Sequence, residues 1–263
     1  SVDPLDFAGP RGLLASPPCQ GFSAAGDRRG LLDLAGLIRL IDTCDDGPSA
    51  DRAVDQARRA VADPRSALVL EPLRWALHLR SRWLAWEQVA SVRPIWEACA
   101  RALARSGWGV AVAVVQADHY GVPQSRRRAV LLASLDGPTA IPGSLPPALW
   151  GTIGAALPGL PAGTRLRSNY SAGRSQGRTA AERGRTMRDL WEPAVTITSK
   201  PPHWLRPDGS RAILSIEELA ALQTFPAAYP WRGTARERYQ QVGDAVPPLL
   251  ARHLIAAAIG SST

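Results

Sequence analysis

Cys19 stands in Ala15-Ser16-Pro17-Pro18-Cys19-Gln20-Gly21-Phe22-Ser23, and a thiol presented on so stiff a loop has nucleophilic chemistry open to it. The apolar run Gly12-Leu13-Leu14-Ala15 ends at two prolines. Proline fixes φ and lacks a backbone donor, so a strand stops there. The cysteine then follows the C-terminal end of a strand, the edge at which open α/β sheets bind ligands. The segment fits a nucleophile, and it equally fits a small cysteine buried behind a Pro-Pro turn.

The elements around this loop are legible as alternating patterns. Short apolar runs predict strands at Gly12–Ser16, Trp83–Val89, Gly109–Gln116 and Arg128–Ser134. Between them, helical patterns fall at about Leu31–Asp42, Asp51–Ala62, Ser66–Arg80 and Val92–Ser106. In the last of these Val92, Ile95, Trp96, Cys99 and Leu103 recur at helical spacing, which makes Cys99 a core residue. Cys44 lies by the Gly47-Pro48-Ser49 loop and reads as structural or incidental. Strand–helix–strand alternation predicts an α/β fold with a mostly parallel, doubly wound sheet.

From about Leu135 the texture changes to proline- and glycine-rich sequence, followed by an arginine-rich stretch at Thr164–Arg188. There Arg165, Arg167, Arg174, Arg178, Arg183, Arg185 and Arg188 oppose only Glu182. Such a stretch is either a disordered basic linker or a nucleic-acid surface. Ser215 to Glu218 has the pattern of a helix N-cap box, and a last helix is expected at about Pro248–Ile259. The expected division is a catalytic α/β domain over 1–134, a small irregular target-recognition region over 135–200, and a segment over 201–263 returning to the catalytic domain.

Composition limits the function classes. The chain has 263 residues, 45% of them hydrophobic, and a net charge of +8. Lys200 is the sole lysine among 31 basic residues. An arginine excess follows from a GC-rich genome as readily as from selection, yet a basic surface suits a polyanion partner. Three widely spaced cysteines form neither a disulfide framework nor a zinc site, so no metal is expected and a reducing cytoplasm is the natural setting. No apolar run approaches the roughly 18 residues of a membrane span, and no signal peptide is visible.

Several blocks in fixed order resemble the C5-cytosine DNA methyltransferases of bacterial restriction–modification systems and phages. Ser16-Pro17-Pro18-Cys19-Gln20 resembles the family's nucleophile loop, and Trp86-Glu87-Gln88-Val89 its Glu-Asn-Val strand end. Gln124-Ser125-Arg126-Arg127-Arg128 resembles the Gln-x-Arg-x-Arg block. Arg211 to Ser215 with Leu222-Gln223-Thr224-Phe225-Pro226, then Gln241 to Pro248, resemble the last two.

The resemblance implies a class I methyltransferase-like fold and methyl transfer from S-adenosylmethionine to C5 of a cytosine flipped out of duplex DNA. It makes Cys19 the nucleophile and Glu87 the carboxyl at cytosine N3. Arg128 is assigned to the base and Arg126, two residues away on one strand face, to support of the site. Glu71, a rival carboxylate, falls within a predicted helix and would not project from a strand tip. Gln20, Gly21, Ser23, Arg28, Arg29 and Gln124 are expected to contact substrate, as are Arg165, Arg167 and Arg211 in or near the recognition region. Pro17 and a Gly243-Asp244-Ala245 turn are the expected cofactor contacts.

Two departures accompany the resemblance. The family's Phe-x-Gly-x-Gly turn and its acidic ribose partner do not precede the nucleophile loop, and Asp244 stands where Asn is usual. The expectation is therefore a sheet lacking its first strands, incomplete as a methyltransferase without a complementing N-terminal segment or chain. A non-catalytic DNA-binding or regulatory remnant is the alternative. An RNA C5-methyltransferase is a weaker one, because the Cys-Phe-Thr motif of the tRNA-modifying branch is missing.

Overall fold

The computed structural model describes residues 2–7, 9–23, 29–171 and 185–260. By contact density the chain divides into two compact units, residues 1–115, 127–143 and 253–263 in one and 116–126 and 144–252 in the other. The cut expected at 134 falls inside the first unit, and residues 201–252 group with the second.

The first unit carries a four-stranded sheet in the order β1-β2-β4-β3. Its strands are β1 Gly12–Ala15, β2 Trp83–Val89, β3 Gly109–Gln116 and β4 Arg127–Ser134. The helices are α1 Gly30–Ile41, α2 Gly47–Ala60, α3 Glu71–Leu79 and α4 Arg93–Arg105. A 3-10 turn, Pro64–Leu70, leads into α3, so the single helix expected over 66–80 is two pieces. The break falls at Glu71-Pro72, where proline cannot donate to the preceding turn.

β1 and β2 are parallel, with Ala15 beside Trp86. β4, however, runs antiparallel to β2, pairing Val89 with Arg128. The sheet is therefore mixed rather than mostly parallel. Only ten residues (117–126) join β3 to β4, too few for the crossover that a parallel neighbour requires.

One face of the sheet packs against the helices. Leu84 and Trp86 of β2 join Leu37, Ile41, Leu73, Ile95, Trp96, Cys99 and Leu103 in a single core cluster. Trp86 and Trp96 meet at 5.5 Å between ring centroids, and the Trp96 indole donates to Ala129 O. Each such fully buried side chain contributes about 1.5–3 kcal/mol. Strand alternation then turns Glu87 away from this core.

The second unit holds an antiparallel sheet in the order β6-β5-β7-β8. Its strands are β5 Arg165–Ser171, β6 Arg185–Arg188, β7 His203–Leu205 and β8 Arg211–Ile213, with helices α5 Ile153–Ala156, α6 Ile216–Leu222 and α7 Ala235–Asp244. Within the described part of the arginine-rich stretch, residues 165–171 and 185–188 are folded strand and not linker. Arg174, Arg178, Glu182 and Arg183 lie outside the described residues. The box at Ser215 forms as expected, with Ser215 N donating to Glu218 Oε2 at 2.7 Å and Glu218 N to Ser215 Oγ at 3.2 Å.

The chain ends in α8, Pro248–Gly260. By length and composition alone the 26 residues Ala235–Gly260 would suffice to cross a membrane, contrary to the sequence expectation. The stretch is interrupted at Ala245-Val246-Pro247, and Val242, Leu250, Leu254 and Ala258 on it are buried in protein.

Candidate active site

The loop after β1 is fastened at several points. Ser16 Oγ donates to Glu87 Oε2 at 2.9 Å, and the Gln88 amide donates to Pro17 O at 2.6 Å. Both ties run to the C-terminal end of the parallel neighbour β2, so the loop that bears Cys19 and the strand end that bears Glu87 form one structure. Phe22 N and Ser23 N donate to Cys19 O, and the Phe22 ring is buried in the core. Gly30 N donates to Gly21 O at 2.9 Å, which joins the two ends of the segment between them. A Cβ on Gly30 would lie 2.7 Å from Ser66 Oγ and 2.8 Å from Gly21 O, so this closure requires glycine.

Glu87 is 8% exposed and meets charge from β4. Arg128 lies beside Val89 in the register, two residues along from Val130, which faces Glu87. From that diagonal position Arg128 Nε comes within 2.6 Å of Glu87 Oε1. The contact is an ion pair by distance without the alignment of a hydrogen bond. Arg128 Nη1 donates to Arg127 O. A thiol loop, a carboxylate and a guanidinium are thereby gathered at one end of β1, β2 and β4.

The other two cysteines are chemically quiet. Cys44 and Cys99 are buried, and burial pushes the Cys44 thiol up to about 11 and raises that of Cys99 as well. A thiol held protonated is a poor nucleophile. Cys19 alone of the three is not buried. Gln20 is half-buried beside it, and its Oε1 accepts no hydrogen bond among the described residues.

Several assigned residues have other surroundings. Arg126 is 2% exposed and donates to Ile197 O and Gly243 O at 3.0–3.2 Å. It precedes β4, whose first residue is Arg127, so strand alternation does not place it on one face with Arg128. Its position is that of a brace within the second unit. Gln124, expected at the substrate, is fully buried. It donates to Gln223 Oε1 and accepts from Ile197 N, both at 2.8 Å, while Gln223 donates to Val242 O at 2.6 Å. A side chain so enclosed and so engaged offers nothing to DNA. Glu71 begins α3 and pairs with Arg58 and Arg74, away from any strand end.

The expected cofactor turn at Gly243-Asp244-Ala245 is instead the end of α7. A capping box between Thr234 and Glu237 starts this helix, and it runs through Asp244. Gly243 is buried, and a Cβ there would lie 2.3 Å from the Thr198 carbonyl carbon. Its carbonyl is taken by Arg126. Asp244 is exposed, and Pro17 offers a carbonyl already bonded to Gln88. No cluster of three or more metal-ligating side chains occurs among the described residues.

Arg165, Arg167, His203 and Arg211 share one face of the second sheet, whereas Arg188 lies opposite Leu166 on the other. The register aligns Arg165, Leu205 and Arg211 across β5, β7 and β8, and Arg167, His203 and Ile213 in the next row. Leu166 and Trp204 point the other way and are buried in the unit's core. Arg165 and Arg211 are exposed, and Arg165 pairs with Asp189 at 2.9 Å. Arg29, exposed, caps the start of α1, and Arg28 lies outside the described residues.

This combination of folds has known counterparts. The chain has the fold of the Entamoeba histolytica methyltransferase EhMeth, with a TM-score of 0.58 and 14% identity over 96% of this chain and 78% of that one. The S. pombe Dnmt2 methyltransferase gives a TM-score of 0.60 at 15% identity, covering 100% of this chain and 83% of that one. The fold is therefore that of a methyltransferase.

Within that class the chain belongs to the C-5 cytosine-specific DNA methylase family, whose profile matches residues 54–144 and 160–260. The Type II methyltransferase M.AplI of Arthrospira platensis is 27% identical over 255 residues, 91% of this chain and 66% of that protein. M1.HphI of Haemophilus parahaemolyticus, also a Type II methyltransferase, is 27% identical over 284 residues, 95% and 68% of the two chains. The chain spans about two thirds of the length of these relatives.

Proposed function

We propose that this chain carries the base-activating centre of a DNA (cytosine-5-)-methyltransferase, with Cys19, Glu87 and Arg128 acting on a cytosine extruded from duplex DNA. The observation that carries this reading is the junction of the Cys19 loop, Glu87 and Arg128 through the Ser16–Glu87 bond and the Glu87–Arg128 pair.

The chemistry follows from the groups. Cytosine C5 is a poor nucleophile. When the Cys19 thiolate adds to C6, an S–C6 bond forms, the C5=C6 pair moves to C4=C5, the N3=C4 pair moves onto N3, and N3 takes up a proton there. Glu87 supplies the proton or hydrogen bond at N3, and Arg128 donates to the O2 of the ring. C5 is then the nucleophilic carbon of an enamine. Arg126 and Gln124 hold the second unit's interior and do not touch the base.

Methylation needs a donor, for which the family resemblance implies S-adenosylmethionine. Pro17 and 243–245 do not cradle it, so we assign most of that site to a complementing segment or chain. β1, an edge strand, is the place where such a segment would pair. The face bearing Arg165, Arg167 and Arg211 suits the phosphates and groove of duplex DNA. We place the protein in the cytoplasm, as part of a restriction–modification system.

The test is covalent trapping. Duplex DNA containing 5-fluorocytosine, with S-adenosylmethionine and a cofactor segment supplied from a relative, is expected to give an adduct that survives denaturation. An adduct undiminished by Cys19→Ser removes this reading.

A further inference from the structure

Ser16 is given no chemical role above beyond joining the loop to β2, yet its hydroxyl touches the carboxyl on which base activation depends. The two oxygens of Glu87 have unlike neighbours. Oε1 lies 2.6 Å from Arg128 Nε, and Oε2 accepts from Ser16 Oγ at 2.9 Å. A guanidinium only donates, whereas a hydroxyl donates or accepts by rotating about its C–O bond. A proton on Oε1 would face a permanent cation. A proton on Oε2 meets an oxygen that can accept it.

The geometry points to Ser16 as a positioning residue that makes Glu87 Oε2 the proton-bearing oxygen and fixes the carboxyl relative to Cys19, three residues along the same loop. This rests on the proposed role of Glu87 at the base. In the acid form the Ser16 hydroxyl turns to accept the proton of Oε2. When the ring enters, the Oε2–H bond rotates from Ser16 to N3, the proton passes to N3 with its bonding pair left on Oε2, and the hydroxyl turns back to donate to that oxygen. Arg128 Nε stays beside Oε1, so the carboxylate formed during thiolate addition keeps a donor at Oε2 and a cation at Oε1. Because Ser16 opens the nucleophile loop, the same bond sets how far the acid stands from the sulfur. A displacement of about 1 Å in such a pair costs on the order of a hundredfold in rate.

The test compares Ser16→Ala and Ser16→Thr in the full chain with two independent readouts. The first is the titration of the Glu87 carboxyl carbon by NMR in protein labelled with carbon-13 glutamate, assigned with Glu87→Gln. Ser16→Ala is expected to move the Glu87 carboxyl carbon's resonance and titration midpoint away from the parent's, and Ser16→Thr to restore both. The second is the rate of adduct formation on saturating duplex DNA carrying 2-pyrimidinone at the target position, which requires no methyl donor. Ser16→Ala is expected to slow it about tenfold at unchanged DNA affinity, with Ser16→Thr close to the parent. An unmoved midpoint in Ser16→Ala, or a Thr variant that behaves like Ala in both readouts, overturns the inference. Absence of any adduct from the parent chain counts against the proposed activity and leaves the titration to decide the Ser16–Glu87 coupling.

Discussion

Arg126 and Arg128 are two residues apart and have the same side chain, yet they have opposite physical roles. Arg126 belongs to the second unit, is 2% exposed, and spends its donors on the carbonyls of Ile197 and Gly243. Arg128 belongs to the first unit, keeps 12% of its side chain exposed, and faces one carboxylate. A guanidinium buried against backbone carbonyls holds a fold together. One paired with a single carboxylate at a strand end keeps a further nitrogen for a substrate oxygen. The difference shows that a motif's residue types set what is possible, and the number of donors already satisfied decides what is done.

The sharpest way to break this comparison is at the sulfur. Cys19→Ser is expected to reduce adduct formation on 5-fluorocytosine DNA to background while leaving thermal stability within about 1 kcal/mol of the parent. An equal loss of stability and of trapping would place Cys19 among the structural residues.

The two arginines should separate next. Arg126→Ala leaves buried carbonyls without donors and is expected to lower unfolding free energy by about 3 kcal/mol, measured by urea denaturation. Arg128→Ala should cost less than about 1 kcal/mol in the same titration, yet cut adduct formation about a hundredfold. Reversed magnitudes would exchange their assignments.

Gly243→Ala sharpens the same contrast at the expected cofactor turn. A methyl group driven into the Thr198–Ser199 backbone should destabilise by about 1–3 kcal/mol, seen as a lower denaturation midpoint. A stable variant with weakened cofactor binding would return Gly243 to the cofactor.

The smallest effect concerns the thiols. At pH 8 the folded protein should be alkylated at Cys19 alone, as read by mass spectrometry. Cys44 is raised from its ordinary 9.0 to about 11 by burial. Above pH 9 the unfolded chain therefore releases this proton while the folded chain keeps it, so the unfolded state binds fewer protons and stability falls as pH rises from about 9 to 11. Cys44→Ala should flatten that slope.

The strands β2 and β3 were readable because continuous apolar runs between turn signals leave few alternatives, and the Pro-Pro stop located the nucleophile loop. The direction of β4 was not read from composition, although the ten-residue link before it held the information. α7 escaped because its exposed, polar surface gives no helical apolar period; Thr234 and Glu237, spaced for a capping box, were the available signal. The burial of Gln124 left no local trace, since its partner Gln223 lies 99 residues away. Ser16 was missed for the same reason: its hydroxyl reaches a carboxylate 71 residues further on.

The hydrogen bond between Gly30 N and Gly21 O has a consequence for how such a protein can change. Because these two residues meet through backbone atoms, the tie that anchors the chain two residues after Cys19 depends on no side-chain hydrogen bond. A lineage could therefore substitute polar side chains near this tie, the two glycines and Phe22 excepted, and leave Cys19 where it stands.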